Sequence, residues 1–355
     1  STTGESRSAF VVKAPVMRRD FAPPRLATSF VFPAITFSPS TNSLFSNGSI
    51  ETCDCDTAKL FAVVNVNLPS GNTSAPTGLS GQPSDPGFAN VGQVNGSTGV
   101  YLCDGWVLTA NHVGAGAFVS NGQSYGYNGV DSYQINGTDL RLFKLSTFPV
   151  LPSLNVATSS PSVGSAVVMI GAGRTAQDSL TNWYVDADTS TWTWSEDQFV
   201  GADYIISGFV TDSSKSVRWG TNTINGFTTY GNSTYENSSA FYTDFSYNNP
   251  TSYEAQAVTH DSGGAIFTQN GTNWELAGTI VAVASPFNGQ PGGPNNAIFG
   301  NYTIAIDLSA HATDINEYLL TPIPESSISG ILTALCAVCC VLGRRYEPSV
   351  NASVN

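Results

Sequence analysis

Charge is what this sequence has least of. Asp, Glu, Lys and Arg make up 11% of its 355 residues, under half of the ~25% found in a typical soluble chain. Thirteen Lys and Arg stand against 26 Asp and Glu, a net charge of −13. With no basic stripe to neutralise a phosphate backbone, nucleic acid is not an expected partner. Cysteine is sparse and unevenly placed. Cys336, Cys339 and Cys340 fall in an apolar C-terminal run, which leaves Cys53, Cys55 and Cys103 for the rest. An odd set permits one bridge at most. Cys53 or Cys55 bonded to Cys103 would tie the N-terminal extension to the body of the fold, and three free or buried thiols is the equal alternative. The Cys53-x-Cys55 pair lacks a second pair of ligands, so no metal is expected, and no motif asks for a cofactor. Long hydrophobic runs are missing as well. The apolar stretch at residues 328–342 is 15 residues long, short of the ~20 that a membrane-spanning helix needs.

Ser, Thr, Asn and Gly supply the polarity that charge does not, the profile of an extracellular β-rich protein. From Val100 onward short apolar runs recur between Gly, Asn and Ser turns, at 106–110, 140–145, 166–170, 204–210, 240–245, 265–267, 274–284 and 302–306. Many short strands at such spacing imply an all-β barrel or sandwich. One helix is expected, over 308–320, with Asp307 as N-cap and Leu308, Ala312, Ile315 and Leu319 on one face. His311, within it, should pack or face solvent. Upstream, residues 59–68 read as a strand and 69–87 as a Gly/Pro/Ser loop. Residues 26–37 are apolar but interrupted by Pro33, a poor signal segment, and a disordered leader is the equal alternative. The expected division is 1–57 leader or linker, 58–155 N-terminal extension and first barrel, 156–320 second barrel and closing helix, and 321–355 tail.

Three segments carry chemistry: Gly105-Trp106-Val107-Leu108-Thr109-Ala110-Asn111-His112, then Thr138-Asp139-Leu140-Arg141-Leu142, then His260-Asp261-Ser262-Gly263-Gly264. A serine hydroxyl is a weak nucleophile at neutral pH. It needs an imidazole to take its proton and a carboxylate to fix the imidazole's tautomer. Taken singly, Asp139 reads as a turn residue after Asn136-Gly137 and His112 as a hydrogen-bonded core histidine.

Taken together and in this order, the segments resemble the His, Asp and Ser motifs of the chymotrypsin-like serine proteases. Leu151-Pro152, Gly171-Ala172-Gly173, Leu276-Ala277-Gly278 and Asn301-Tyr302-Thr303 resemble further landmarks of that family, and the likeness spans roughly residues 88–320. It implies two antiparallel six-stranded β-barrels with a C-terminal α-helix. It also implies a catalytic triad of His112, Asp139 and Ser262, with the backbone N–H groups of His260 and Ser262 as the oxyanion hole. Gln256 would lie at the floor of the substrate pocket, walled by Ala282, Val283 and Ala284. A neutral floor argues against Lys or Arg at the cleaved position, because a buried cation without a counter-charge is costly.

Departures from the family pattern matter too. His260 stands where the family has Gly, and a flipped peptide there would weaken the hole. Val113 replaces a frequent disulfide Cys. The interval from His112 to Asp139 is 139 − 112 = 27 residues, which implies trimmed loops. No activation sequence precedes the first barrel, so Asp261 needs an internal partner. Arg174 is a candidate, with a solvated loop residue as its plainer reading.

The tail reads Pro322-Ile323-Pro324-Glu325-Ser326, then the apolar stretch, then Gly343-Arg344-Arg345. It resembles the PEP-CTERM sorting signal of exported bacterial proteins, with Ser326 in place of a Pro, and a simple anchor is the alternative. The resulting expectation is an exported serine endopeptidase acting on polypeptide, a monomer, associated transiently with membrane through residues 328–345. A catalytically silent protease-like binding module at the cell surface is the rival, and an esterase with the same triad is a third reading.

Overall fold

The computed structural model describes residues 63–66, 71–79, 84–188, 191–248 and 250–320. The expected leader at 1–57, with Cys53 and Cys55, and the expected tail at 321–355 lie outside the described residues. A two-residue strand, β1 (Val64–Asn65), comes first and pairs with Ala255–Gln256 near the other end of the chain.

The first half is a run of hairpins. Asn95-Gly96 joins β2 (Val91–Val94) to β3 (Ser97–Cys103), and Asp104-Gly105 joins β3 to β4 (Trp106–Ala110). Asn121-Gly122 joins β5 (Phe118–Ser120) to β6 (Gln123–Tyr125). Each of these loop residues has a positive φ, between 45° and 87°. That is the geometry that two-residue hairpins require, and Asn, Asp and Gly adopt it most cheaply. With β7 (Tyr127–Gln134) and β8 (Leu140–Leu145) the strands form one antiparallel sheet, ordered β6-β5-β2-β3-β4-β8-β7.

The second half begins with β9 (Ala166–Gly171), β10 (Arg174–Ala176), β11 (Thr181–Asp186), β12 (Thr193–Ser195) and β13 (Tyr204–Phe209). Next come β14 (Thr211–Lys215), β15 (Arg218–Tyr230), β16 (Ser238–Asp244) and β17 (Ala255–Gln256). The last strands are β18 (Ala265–Asn270), β19 (Asn273–Ala284), β20 (Ala297–Ile298) and β21 (Tyr302–Asp307). Six of them close into a barrel ordered β15-β16-β21-β19-β18-β9. Outside it lie the β10-β14 ribbon and a sheet ordered β12-β11-β13-β20. A 3₁₀ turn at Leu308–His311 leads into the single α-helix among the described residues, α1 (Ala312–Leu320).

The fold is chymotrypsin-like: all-β, with a closed six-stranded barrel, a half-barrel and a closing helix. One expectation needs correction, since the first half is a seven-stranded sheet that does not close. Its edges explain why. β6 is three residues long and largely exposed, and the β7 register against β8 breaks between Tyr127 and Ser132, so neither edge offers the other a continuous ladder. Cys103 is half-buried and has no disulfide partner among the described residues, while Cys53 and Cys55, its expected partners, lie outside them.

One apolar cluster spans both halves. Val100, Leu102, Leu108, Leu140 and Leu142 of the half-barrel share a cluster with Ile170, Trp219, Phe267, Leu276 and Ile306 of the barrel. Each fully buried side chain of this size contributes roughly 1.5–3 kcal/mol. The helix ties the halves together from outside. Asp307 Oδ1 accepts bonds from the Ser309 backbone N–H (2.9 Å) and hydroxyl (2.7 Å), which starts the helical turn. Tyr318 stacks on Tyr133 with ring centroids 4.4 Å apart, and Asn136 donates to Asp314 at 2.6 Å. His311 packs inside, its Nε2 2.7 Å from the Ser238 hydroxyl. Asp307→Ala should therefore lower stability by about 1 kcal/mol, the usual cost of a lost cap, read as a shifted urea midpoint with an unchanged slope.

Candidate active site

His112 comes after β4 in a tight turn, in which the Val113 N–H reaches the Ala110 carbonyl (3.0 Å) and the Gly114 N–H reaches that of Asn111 (3.1 Å). Asp139 immediately precedes β8, the neighbour of β4. Its position comes from the Asn136-Gly137 turn, closed by the Thr138 N–H on the Ile135 carbonyl at 2.9 Å. The Asn111 N–H donates to the Asp139 carbonyl (3.1 Å), and the His112 N–H donates to Asp139 Oδ1 (2.9 Å). The side chains meet at 2.7 Å, His112 Nδ1 to Asp139 Oδ2. Asp139 is buried, whereas the imidazole is 37% exposed. With the Nδ1 proton engaged by the carboxylate, Nε2 is left as an acceptor facing outward. Tyr230, at the end of β15, donates to Asp139 Oδ2 at 3.4 Å. Burial, reinforced by that carboxylate, pushes its phenol up to about 12.

Ser262 lies in the loop between β17 and β18, and that loop is pressed against the half-barrel. The Thr98 N–H donates to the Ser262 carbonyl (3.1 Å), while the Thr98 hydroxyl donates to the His260 carbonyl (2.9 Å) and accepts from the Ala172 N–H (2.8 Å). Gly263, at φ +87°, allows this approach. A Cβ there would stand 2.1 Å from the Thr98 carbonyl oxygen and 2.2 Å from the Thr109 hydroxyl. The loop carrying Ser262 is thus held against the strands that lead to His112. Among the described residues no hydrogen bond joins Ser262 Oγ to His112.

The backbone donors of this loop divide sharply. The N–H groups of Val258, Thr259, Asp261, Gly263 and Gly264 all have partners: Asp261 Oδ2 and the carbonyls of Pro294, Val258, Ile280 and Asp261. Those of His260 and Ser262 have none among the described residues. The orientation of the first is set by its own peptide. The Thr259 carbonyl accepts from the Arg174 N–H at 3.1 Å, and in a trans peptide the His260 N–H points the opposite way. His260 adopts φ +77° to do this. Burial, and then the charges of Lys215 and Arg174, hold its imidazole below the usual range.

Two of the solved structures similar to this chain show how loose the likeness is. Both are of Rv3671c from M. tuberculosis. One is a serine-to-alanine mutant in an inactive form, 13% identical, covering 71% of this chain and 98% of its own at a TM-score of 0.39. The other, titled as the Rv3671c protease in an inactive form, is also 13% identical with a TM-score of 0.39, and covers 69% of this chain and 98% of its own. An overlap that loose assigns no activity. No protein-family model and no curated protein matches the chain.

Asp261 has the partners its position demands, but not the one expected. Its carboxylate is fully buried and accepts backbone N–H bonds from Gly173 (2.8 Å), Val258 (2.8 Å) and Val63, with the buried guanidinium of Arg218 adding its charge. Arg174 instead turns its side chain to the Thr211 hydroxyl at 3.2 Å. Sequence reading missed Arg218 and Val63 because neither lies near the motif. Thr98 and Tyr230 sit in Ser/Thr-rich strands where nothing singles them out. Gln256 is wholly buried, its amide nitrogen donating to the Ala257 carbonyl (3.1 Å). Ala282, Val283 and Ala284 end β19, half-buried and paired with β21. Asp186, Asp188 and Asp203 are the one group of carboxylates among the described residues close enough to share a cation, with donor atoms within 4.8 Å of one another. Asp186 ends β11 of the outer four-stranded sheet, Asp188 and Asp203 lie in the segments flanking its strands, and two of the three already accept local N–H bonds.

Burial lifts the Asp261 carboxyl from its ordinary 3.8 to about 7. Folding therefore takes up a proton between those values. The stabilisation is complete at the acid end and is lost as pH rises through 7. Thermal midpoints of the wild type should fall from pH 5 to pH 8 more steeply than those of Asp261→Asn, whose side chain does not titrate.

Proposed function

We propose that the chain is a serine endopeptidase. Ser262 attacks the peptide carbonyl, His112 Nε2 takes the hydroxyl proton and returns it to the leaving amine, and Asp139 holds the imidazole and offsets its charge. The backbone N–H groups of His260 and Ser262 receive the oxyanion. The observation that carries this reading is the donor pattern of the nucleophile loop. Among the described residues its only unoccupied N–H groups belong to the serine and to the residue two before it, in a loop bonded to the strands that lead to His112, whose Nδ1 is 2.7 Å from a buried carboxylate. The rival reading, a silent binding module, draws its support from His260. The orientation of that peptide weighs against it, because the side chain there costs backbone strain of roughly 1–2 kcal/mol while the Thr259 carbonyl on the other side of the peptide is already bonded to the Arg174 N–H.

A fluorophosphonate probe tests the proposal. Wild type should label and Ser262→Ala should not label at all, because the attacking oxygen is gone. His260→Gly should label within about threefold of wild type, since glycine keeps the N–H and adopts φ +77° freely. If folded wild type and His260→Gly both resist the probe, the binding module takes the place of the enzyme.

Export, a monomeric state and brief membrane association through residues 328–345 complete the proposal, together with the division at 57, 155 and 320. Mature extracellular protein should lack the segment from Ile328 onward. An intact mass retaining Arg344 and Arg345 would favour an uncleaved anchor.

A further inference from the structure

We infer that Arg174 and Lys215 form a subsite for an acidic side chain of the polypeptide substrate, close to the bond that is cut. The inference rests on the peptidase reading above and adds the class of residue preferred near the cleavage point.

Cations are scarce in this chain, 13 against 26 acids, yet two of them stand directly opposite each other. Arg174 and Lys215 are cross-strand partners on the β10-β14 ribbon. Like charges at such a position destabilise a strand pair. Among the described residues no ion pair or hydrogen bond joins either of them to a carboxylate. The acids nearest the ribbon are committed elsewhere. Asp178 and Asp212 act on Arg218, Asp212 also accepts from the Ser214 N–H (2.7 Å), and Asp261 is bound by backbone donors.

Both side chains are half-buried and held in place. Arg174 Nε donates to the Thr211 hydroxyl (3.2 Å), and Lys215 Nζ donates across the two halves to the Gly96 carbonyl (2.8 Å). These bonds use one donor of each. The outer edge of the guanidinium and two ammonium protons have no protein partner among the described residues, a ready set for a carboxylate's two oxygens. The location ties the pair to the chemistry. The Arg174 backbone holds the Thr259 carbonyl, and both charges are felt at the His260 ring, two residues before Ser262. A bound carboxylate would relieve the repulsion between the two cations. The net charge of −13 repels acidic polypeptides at long range, so such a preference has to come from a local site.

The test compares matched fluorogenic peptides that differ only by Glu or Gln at each position within three residues of the cleaved bond. At one of these positions Glu should raise kcat/KM by about tenfold, on the scale of a charge-assisted pair. The Glu/Gln ratio should fall to near one in Arg174→Gln/Lys215→Gln, and partway in Lys215→Gln alone, which keeps both Arg174 bonds. It should also shrink between about 0.05 and about 0.5 M salt. No advantage for Glu at any position, or an advantage that survives the double substitution, overturns the inference. If the fluorophosphonate probe labels nothing and no peptide is cut, the peptidase reading fails by itself. The subsite is then judged by fluorescence anisotropy of the same dye-labelled Glu and Gln peptides with the full chain. Tighter binding of Glu that the double substitution abolishes sustains it, and equal binding overturns it.

Discussion

The structure depends on one close approach, that of the Ser262 loop to the half-barrel at Gly263. Nothing with a side chain fits there, because the Thr98 carbonyl and the Thr109 hydroxyl already occupy the space a Cβ would need. Thr98 then fastens the loop from both sides, donating to the carbonyls of Ser262 and His260 and accepting from Ala172. Thr109 donates to the Thr98 carbonyl at 2.6 Å and lies three residues before His112. One seam of neutral hydrogen bonds therefore connects the strand that delivers the imidazole to the turn that delivers the hydroxyl. Reactions that depend on near-contact geometry lose about a hundredfold for an error of an ångström, so such a seam constrains function more tightly than the apolar core around it.

Inside that loop, burial of a carboxylate organises the backbone. Taking Asp261 out of water is expensive, and three peptide N–H groups with the charge of Arg218 offset the cost. The bonds that satisfy Asp261 also fold the loop so that the N–H groups on either side of it, at His260 and Ser262, have nowhere internal to go. The strain at His260 belongs to the same arrangement. A non-glycine residue at φ +77° persists because the Thr259 carbonyl is held by Arg174 on one side of the peptide and the His260 carbonyl by Thr98 on the other. Stored strain of this kind gathers at sites where the backbone itself does chemistry.

How far the sequence announced this depends on what kind of signal each part carried. Strands with branched apolar cores, such as β4, β8 and β19, could be read almost to the residue, and so could the helix after Asp307. The order of His112, Asp139 and Ser262 was also visible, because each sits beside an apolar strand or a glycine turn. β15 was not legible, although it is the longest strand of the barrel at 13 residues. Its Thr-Asn-Thr-Ile-Asn-Gly stretch has the composition of a loop, and only its pairing with β9 and β16 makes it a strand. The partner of Asp261 was misassigned for a related reason. Arg174 is the candidate the sequence suggests, but it is Arg218 whose charge acts on the carboxylate, from β15, where the pairing with β9 stands it opposite Gly171. Non-local β pairing leaves no mark at the residues it brings together. The open first sheet was equally hidden, since closure is decided by how short edge strands meet.

Low charge gives the site its electrical character. Among the described residues the fold is held largely by apolar burial and by Ser, Thr, Asn and backbone hydrogen bonds, and the contact of His112 with Asp139 is an ion pair inside the candidate site. Surface ion pairs stabilise little in any case, so a β-fold loses little by doing without them. What it gains is an uncluttered field near Ser262. The charges with most influence there are few: Asp139 behind the imidazole, Asp261 with Arg218 beneath the loop, and the Arg174–Lys215 pair beside His260. In a chain rich in surface ions the last pair would find carboxylate partners of its own. Here the scarcity that removes a nucleic-acid interface also leaves those two cations without a carboxylate among the described residues, which is why their placement on facing strands points outward to a ligand.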